Sequence, residues 1–221
     1  IDLIPTHHEN EIAQSKGMCG KIPANYWMHG EFLLINGGKM SKSLGNVYLL
    51  QDIVDRGYDP LVYKLFCYSI QYRKKLNFTW EGMDSAKIAL DRLREAYQKH
   101  LTGTEDVAEE LISKYEKDFN EAINDDLNMP VAMSVVWEVA KRTEKSKKVA
   151  ELLKKFDRVL GIKIDEHKEE EIPDDIKELL TKRAEARKNK DWAESDKIRD
   201  IIKEKGYIVK DSKEGQTVEK C

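Results

Sequence analysis

Lys39 and Lys42 stand three residues apart in Gly37-Gly38-Lys39-Met40-Ser41-Lys42-Ser43-Leu44-Gly45-Asn46. Two ammonium groups on a glycine-flanked joint can close over a triphosphate and meet charge as it develops on the phosphates. The plain alternative is a solvated surface turn. His7 and Glu11 are four residues apart, so on a helix they share a face one turn apart, a spacing that one metal ion can bridge. A hydrogen-bonded helix start would use the same pair without metal. Near the other end, Arg187, Trp192, Asp196 and Arg199 fall within "EARKNKDWAESDKIRD", and the last three share a helical face. A tryptophan beside arginines offers a stacking platform for an unstacked base, while the carboxylate and guanidinium can read base edges. The alternative packs Trp192 onto the neighbouring strands and pairs the charges with one another. Asp211 is a further candidate of the same kind. Arg73, Lys74 and Lys75 form a basic turn suited either to phosphates or to water.

The elements that must hold these groups follow from periodicity and turn chemistry. "THHENEIAQSKG" predicts a helix ending near Gly17, after a turn at Pro5. "NYWMHGEFLLI" predicts one or two strands, bounded by Pro23 and the Asn36-Gly37-Gly38 turn. Trp27 reads as a pocket wall, and His29, at a strand end beside Gly30, either reaches the site or is satisfied by a backbone carbonyl. Beyond the lysines, Leu49, Leu50, Ile53, Val54 and Tyr58 share one helical face, and Asp59-Pro60 caps a second helix through Leu65, Phe66 and Ser69. Strand signal then nearly vanishes. Helical stripes run through Asp84–Leu101, through Val107, Leu111, Tyr115, Phe119 and Ile123, from Asn128 through Val139, and from Val149 to Leu160. Thr102 and Glu105 suggest a capping box for the second of these. "KIDEHKEEEIPDD" has no apolar period and reads as a linker. After it come two helices, 174–189 and 191–205, and a strand pair around Glu214-Gly215.

The expected class is therefore mostly α with a small α/β remnant. The expected division is 1–46 as an α/β segment ending in the lysine loop, 47–83 as a helical connection, 84–162 as a helical bundle, 163–173 as linker and 174–221 as a small α/β module. Charged residues make up 36% of the 221 and apolar residues 40%, so several cores are affordable beneath heavily solvated surfaces. No apolar run approaches a membrane span, and no secretory signal opens the sequence, so the cytoplasm is the expected compartment. Cys19, Cys67 and Cys221 lack a C-x-x-C spacing and read as reduced thiols. A net charge of −3 conceals a local +3 over 177–205, where 10 Lys/Arg face 7 Asp/Glu. Polyanion binding is expected to be regional. Because Ile1 is not a start methionine and "IDLIP" reads as a strand tail, the chain is expected to be a piece of a longer protein.

"KMSKS" followed by "LGN" resembles the signature loop of class I aminoacyl-tRNA synthetases. "DLIPTHHENEIAQS" with "NYWMHGEFLLINGGKMSKSLGN", and later "LNFTWEGM" and "DDLNMPVA", resembles the cysteinyl-tRNA synthetase family along essentially the whole chain. The resemblance implies the end of a Rossmann-type catalytic domain, the lysine loop, a supporting helical bundle and a small anticodon-reading module. It also implies ATP, with its Mg2+, as cosubstrate: Lys42 on the phosphates, Lys39 as helper, and Asp2 near the ribose. Zn2+ is implied at His7 and Glu11, with His8 as the alternative ligand, to accept the thiolate of L-cysteine. Softness of the sulfur ligand separates cysteine from serine where a steric sieve could not. The family's two zinc cysteines and its His-x-Gly-His string would lie before Ile1, and neither Cys19 nor Cys67 takes a zinc cysteine's place. The implied reaction joins L-cysteine to tRNA-Cys at the expense of ATP, in a monomer without membrane contact. Two rivals are a ligase joining cysteine to an amino sugar, against which the terminal module argues, and a chain that binds tRNA without catalysis.

Overall fold

The computed structural model describes residues 1–166, 173–189, 191–212 and 215–220, and of residues 210–212, 215, 217, 219 and 220 the backbone alone. The chain divides into two compact units, Ile1–His167 and Lys168–Cys221. The architecture is mostly helical, with a small three-stranded sheet in the first unit.

A π-helical turn, Ile4–His8, leads into α1, Glu9–Cys19, which closes on Gly20 in the left-handed region at φ 69°. Pro5 thus lies inside a helical turn rather than before one, and the helix ends past Gly17. Only Leu33–Ile35 of the aromatic run forms a strand, β1. The Asn36-Gly37 turn, with φ of 49° and 78°, reverses the chain into β2, Gly38–Lys39, as a two-residue hairpin with two left-handed residues. β1 also pairs in parallel with β3, Leu76–Phe78, a strand that three residues of sequence are too few to announce.

Between them lie α2, Leu50–Asp55, and α3, Pro60–Cys67. The Asp59 carboxylate caps α3 by accepting from the Leu61 amide at 3.0 Å. The bundle then follows: α4, Trp80–Leu101; α5, Glu109–Asn124; α6, Met129–Ala140; α7, Lys147–Leu160. Leu90, Leu93, Val136, Val139, Leu153 and Leu160 are all fully buried, as their stripes require. Phe119 and Phe156 stack across α5 and α7 with centroids 4.1 Å apart. The Thr102–Glu105 capping box does not form. Thr104 instead bridges to Ser146, Glu105 exchanges backbone and carboxylate bonds with Lys145, and α5 begins four residues later, at Glu109.

The second residue of the stretch read as linker, Ile164, is buried. Ile162 and Ile164 are fully buried because the Asp157 carboxylate accepts both their amides, at 2.8 and 3.1 Å. Packing therefore runs past the end of α7, and residues 167–172 of that stretch lie outside the described residues.

In the second unit, α8, Asp174–Lys188, and α9, Trp192–Glu204, precede β4, Tyr207–Ser212, which pairs antiparallel with β5, Gly215–Lys220. Ile176, Ile198 and Ile202 fill its core.

Candidate functional site

The lysine loop is positioned at both ends. At its entry the Gly37 amide donates to the Asn77 side-chain oxygen on β3, 2.6 Å away. At its exit Asn46 clasps it shut, accepting from the Ser41 amide at 2.8 Å and donating to the Lys39 carbonyl at 3.0 Å. Inside, Ser41 and Ser43 share a hydroxyl hydrogen bond at 2.6 Å, and Lys42–Leu44 form one tight 3-10 turn ended by Gly45 at φ 63°. Met40, between the lysines, packs on the core beside an apolar hollow of about 100 Å³ lined by Leu33, Ile35, Tyr48 and Tyr63. Lys39 and Lys42 are exposed and make no ion pair among the described residues. Two uncompensated ammonium groups on a backbone pinned from both sides can meet an anion without first breaking a salt bridge. Sequence reasoning missed Asn46 and Asn77 as its supports, although Asn46 ends the quoted signature.

The two adjacent histidines have different surroundings. His8, not His7, meets the Trp27–His29 segment: His8 Nδ1 and His29 Nε2 are 2.8 Å apart, and the His8 and Trp27 rings lie 4.8 Å apart. Burial, and after it the neighbouring His8, pushes the His29 imidazole below its ordinary value. Residues 26–32 form no strand and carry ring contacts at Trp27 and His29 and isolated backbone bonds such as Glu31 to Tyr72. His7 and Glu11 are exposed. Imidazole and carboxylate are both zinc donors, so this pair fits two positions of a tetrahedral shell. No group of three potential ligands gathers among the described residues. Asp2 is exposed in the opening turn.

Of the basic turn, Arg73 is taken. Its guanidinium grips Asp126 at 2.6 and 3.1 Å, leaving Lys74 and Lys75 exposed to solvent.

In the second unit Trp192 opens α9 with 58% of its surface exposed, while the isoleucines form the core. The Asp191 carboxylate caps the helix by accepting from the Glu194 amide at 3.1 Å. Arg199 and Asp196 form an exposed ion pair at 3.3 Å. Arg187 is half-buried in the last turn of α8, and Asp211 lies within β4, its side chain outside the described residues. The structure adds a group the sequence did not suggest, a buried Arg183 that donates to the Gln216 side-chain oxygen at 2.7 Å.

Residues 1–88 match the model of the tRNA synthetases class I (C) catalytic domain, 118–165 the DALR domain and 169–218 the cysteinyl-tRNA ligase anticodon binding domain. The chain is 40% identical over 218 residues to cysteine–tRNA ligase 1 of Burkholderia lata, covering 97% of this chain and 45% of that protein. It is 36% identical over 235 residues to the cysteine–tRNA ligase of Protochlamydia amoebophila, covering 100% and 49%. It is 40% identical over 235 residues to that of Bacillus cereus, covering 97% and 50%. The chain thus spans about half the length of these curated relatives.

Proposed function

We propose, from the premise that this chain belongs to the cysteinyl-tRNA synthetase family, that it serves the ATP-dependent joining of L-cysteine to tRNA-Cys. The observation that carries this reading is the pinned loop with Lys39 and Lys42 exposed and without an ion pair among the described residues. In the forward step the cysteine carboxylate attacks the α-phosphate, pyrophosphate leaves, and negative charge shifts onto the departing oxygens. Lys42 meets that charge, with Lys39 assisting, and Mg2+ accompanies the nucleotide. The Asn46 clasp keeps the loop's backbone ordered, so less freedom is lost on closing. Asp2 is assigned to the ribose.

His7 and Glu11 would hold zinc, which when bound offers the substrate sulfur a soft acceptor that a serine hydroxyl uses poorly. The second unit is assigned to the anticodon. Exposed Trp192 would stack on an unpaired base, while Asp196 and Asp211 would accept from base edges and Arg187 and Arg199 would donate to base edges or phosphates. Its 10 Lys/Arg against 7 Asp/Glu over 177–205 supply the attraction for phosphate.

Two measurements test this. In a ligase carrying this sequence, Lys42→Ala is expected to slow cysteine-dependent ATP–pyrophosphate exchange by about 10²–10³-fold with zinc content unaltered. Unchanged exchange would remove Lys42 from the reaction. The 221-residue chain is expected to bind a tRNA-Cys anticodon stem-loop in a salt-sensitive way, and Trp192→Ala to weaken that about tenfold. Equal affinity for a stem-loop of scrambled loop sequence would sink the assignment of the second unit.

A further inference from the structure

One carboxylate on the bundle gathers four side-chain hydrogen bonds from a single turn. Asp126 accepts from the Tyr72 hydroxyl at 2.7 Å, from Gln71 Nε2 at 3.1 Å and from Arg73 at 2.6 and 3.1 Å. The Arg73 guanidinium, first among these, holds the Asp126 carboxyl well below the usual range, at about 2. Asp126 and Leu127 both adopt φ 52°, in the left-handed region, consecutively and without a glycine. That conformation is unfavourable for a leucine and persists only where its surroundings impose it. The reversal there ends α5 and brings the carboxylate to the 71–73 turn.

That turn leads directly to the lysine loop. The Tyr72 carbonyl accepts from Glu31 at 2.9 Å, and the Leu76 amide donates to Phe32 at 3.2 Å, which sets the 26–32 segment against β3. β3 then pairs with β1, Leu34 facing Asn77, and the Asn77 side chain takes the Gly37 amide at 2.6 Å. Two residues later stands Lys39. Exposed ion pairs add little to global stability, and the Arg73 and Asp126 side chains are 64% and 46% exposed. A contact with four bonds and backbone strain, but little stability to gain, is better explained by placement.

We propose that Asp126 is a positioning residue for the lysine loop. It holds the Gln71–Arg73 turn, and through β3 and Asn77 it sets the Asn36-Gly37 reversal from which Lys39 and Lys42 are carried. The positioning stands on geometry alone; its meaning for phosphate rests on the loop's role under Proposed function.

Amide hydrogen exchange read by NMR on the 15N-labelled 221-residue chain tests the relay. Asp126→Ala is expected to speed exchange at Gly37, Glu31 and Leu76 by about tenfold, the consequence of losing one hydrogen bond's worth of protection. Asn77→Ala should speed Gly37 alone. Ile164→Val, which loosens the core elsewhere, should leave Gly37 unaltered, which a purely global destabilisation would not. Should Asp126→Ala fail to fold, Arg73→Gln combined with Tyr72→Phe removes three of the same bonds from the other side and is read identically. Unchanged Gly37 exchange in the folded variant overturns the proposal. A parallel titration with inorganic tripolyphosphate separates the two readings. If Lys42→Ala leaves the tripolyphosphate-induced shifts intact, the phosphate role fails while the relay stands. If Gly37 exchange is unmoved while Lys42→Ala abolishes those shifts, the relay fails and the phosphate role stands.

Discussion

At the residue scale, an isolated polar side chain acquires meaning from what compensates it. Among the described residues Lys39 and Lys42 make no ion pair, whereas Arg73, of the same charge, is paired with Asp126. Spacing alone cannot separate these cases, because the partner lies 53 residues away. His100 shows the same dependence in the core. It is fully buried, with Nε2 3.1 Å from the Ala140 carbonyl and the Ser146 amide 3.5 Å from Nδ1, an arrangement that fits the neutral ring with its proton on Nε2. Burial above all, with Lys145 and Arg142 nearby, lowers its pKa against the opposing pull of the Ala140 carbonyl. Neutral in the folded chain, His100 takes up a proton more readily when unfolded. Its contribution is therefore present above about pH 6.5 and is lost as pH falls below that value toward the folded pKa, at up to about 1.4 kcal/mol per pH unit. Thermal unfolding from pH 7.5 to 5.5 should show a shallower pH dependence in His100→Gln than in the parent. Parallel curves would exclude His100 as the source.

At the element scale, what the helices bury was legible and what their connections do was not. The α4 and α7 stripes follow from apolar residues recurring at three and four, since burial rewards any helix that collects them on one face. The loop from α4 to α5 carries no such signal. Gly103 there lets two loops touch: a Cβ on it would sit 2.1 Å from the Lys145 carbonyl carbon and oxygen and 2.6 Å from the Ser146 nitrogen. Because those atoms are backbone, no side chain can swing aside. Gly103→Ala should therefore separate the loops bridged by Thr104 and Ser146, lowering stability by about 1–3 kcal/mol or more in urea unfolding. A loss below a few tenths would mean the loops part freely. The three-residue β3 was invisible for a related reason, since what stabilises it, a parallel neighbour, the Asn77–Gly37 bond and a buried Phe78, all depends on chain far away in sequence.

At the scale of the first unit, Arg94 joins distant pieces of chain. From α4, buried to 6% exposure, it donates to Glu166 at 2.9 Å, to Asp59 at the head of α3, and to the carbonyls of Ile162 and Lys163 beyond α7. Removing a buried, multiply bonded cation strands its acceptors, so Arg94→Met is expected to cost about 2–4 kcal/mol. Arg73→Gln at the surface should cost under about 1 kcal/mol. Urea midpoints compare them, and equal losses would show that Arg94's burial brings no extra dependence. The sequence by itself determined the lysine loop, the Asn-Gly hairpin, the helical stripes, the strand pair at the end and the kinship with cysteinyl-tRNA synthetases. All of these are written in neighbours a few residues apart. Only the tertiary structure decided that His8 rather than His7 meets His29, that Trp192 stands in solvent while isoleucines fill the core, and that Ile164 is packed. It also decided that Asp126 claims Arg73. Those outcomes rest on contacts between residues that adjacency along the chain does not bring together, and they are settled by which surfaces lose water together when the elements pack.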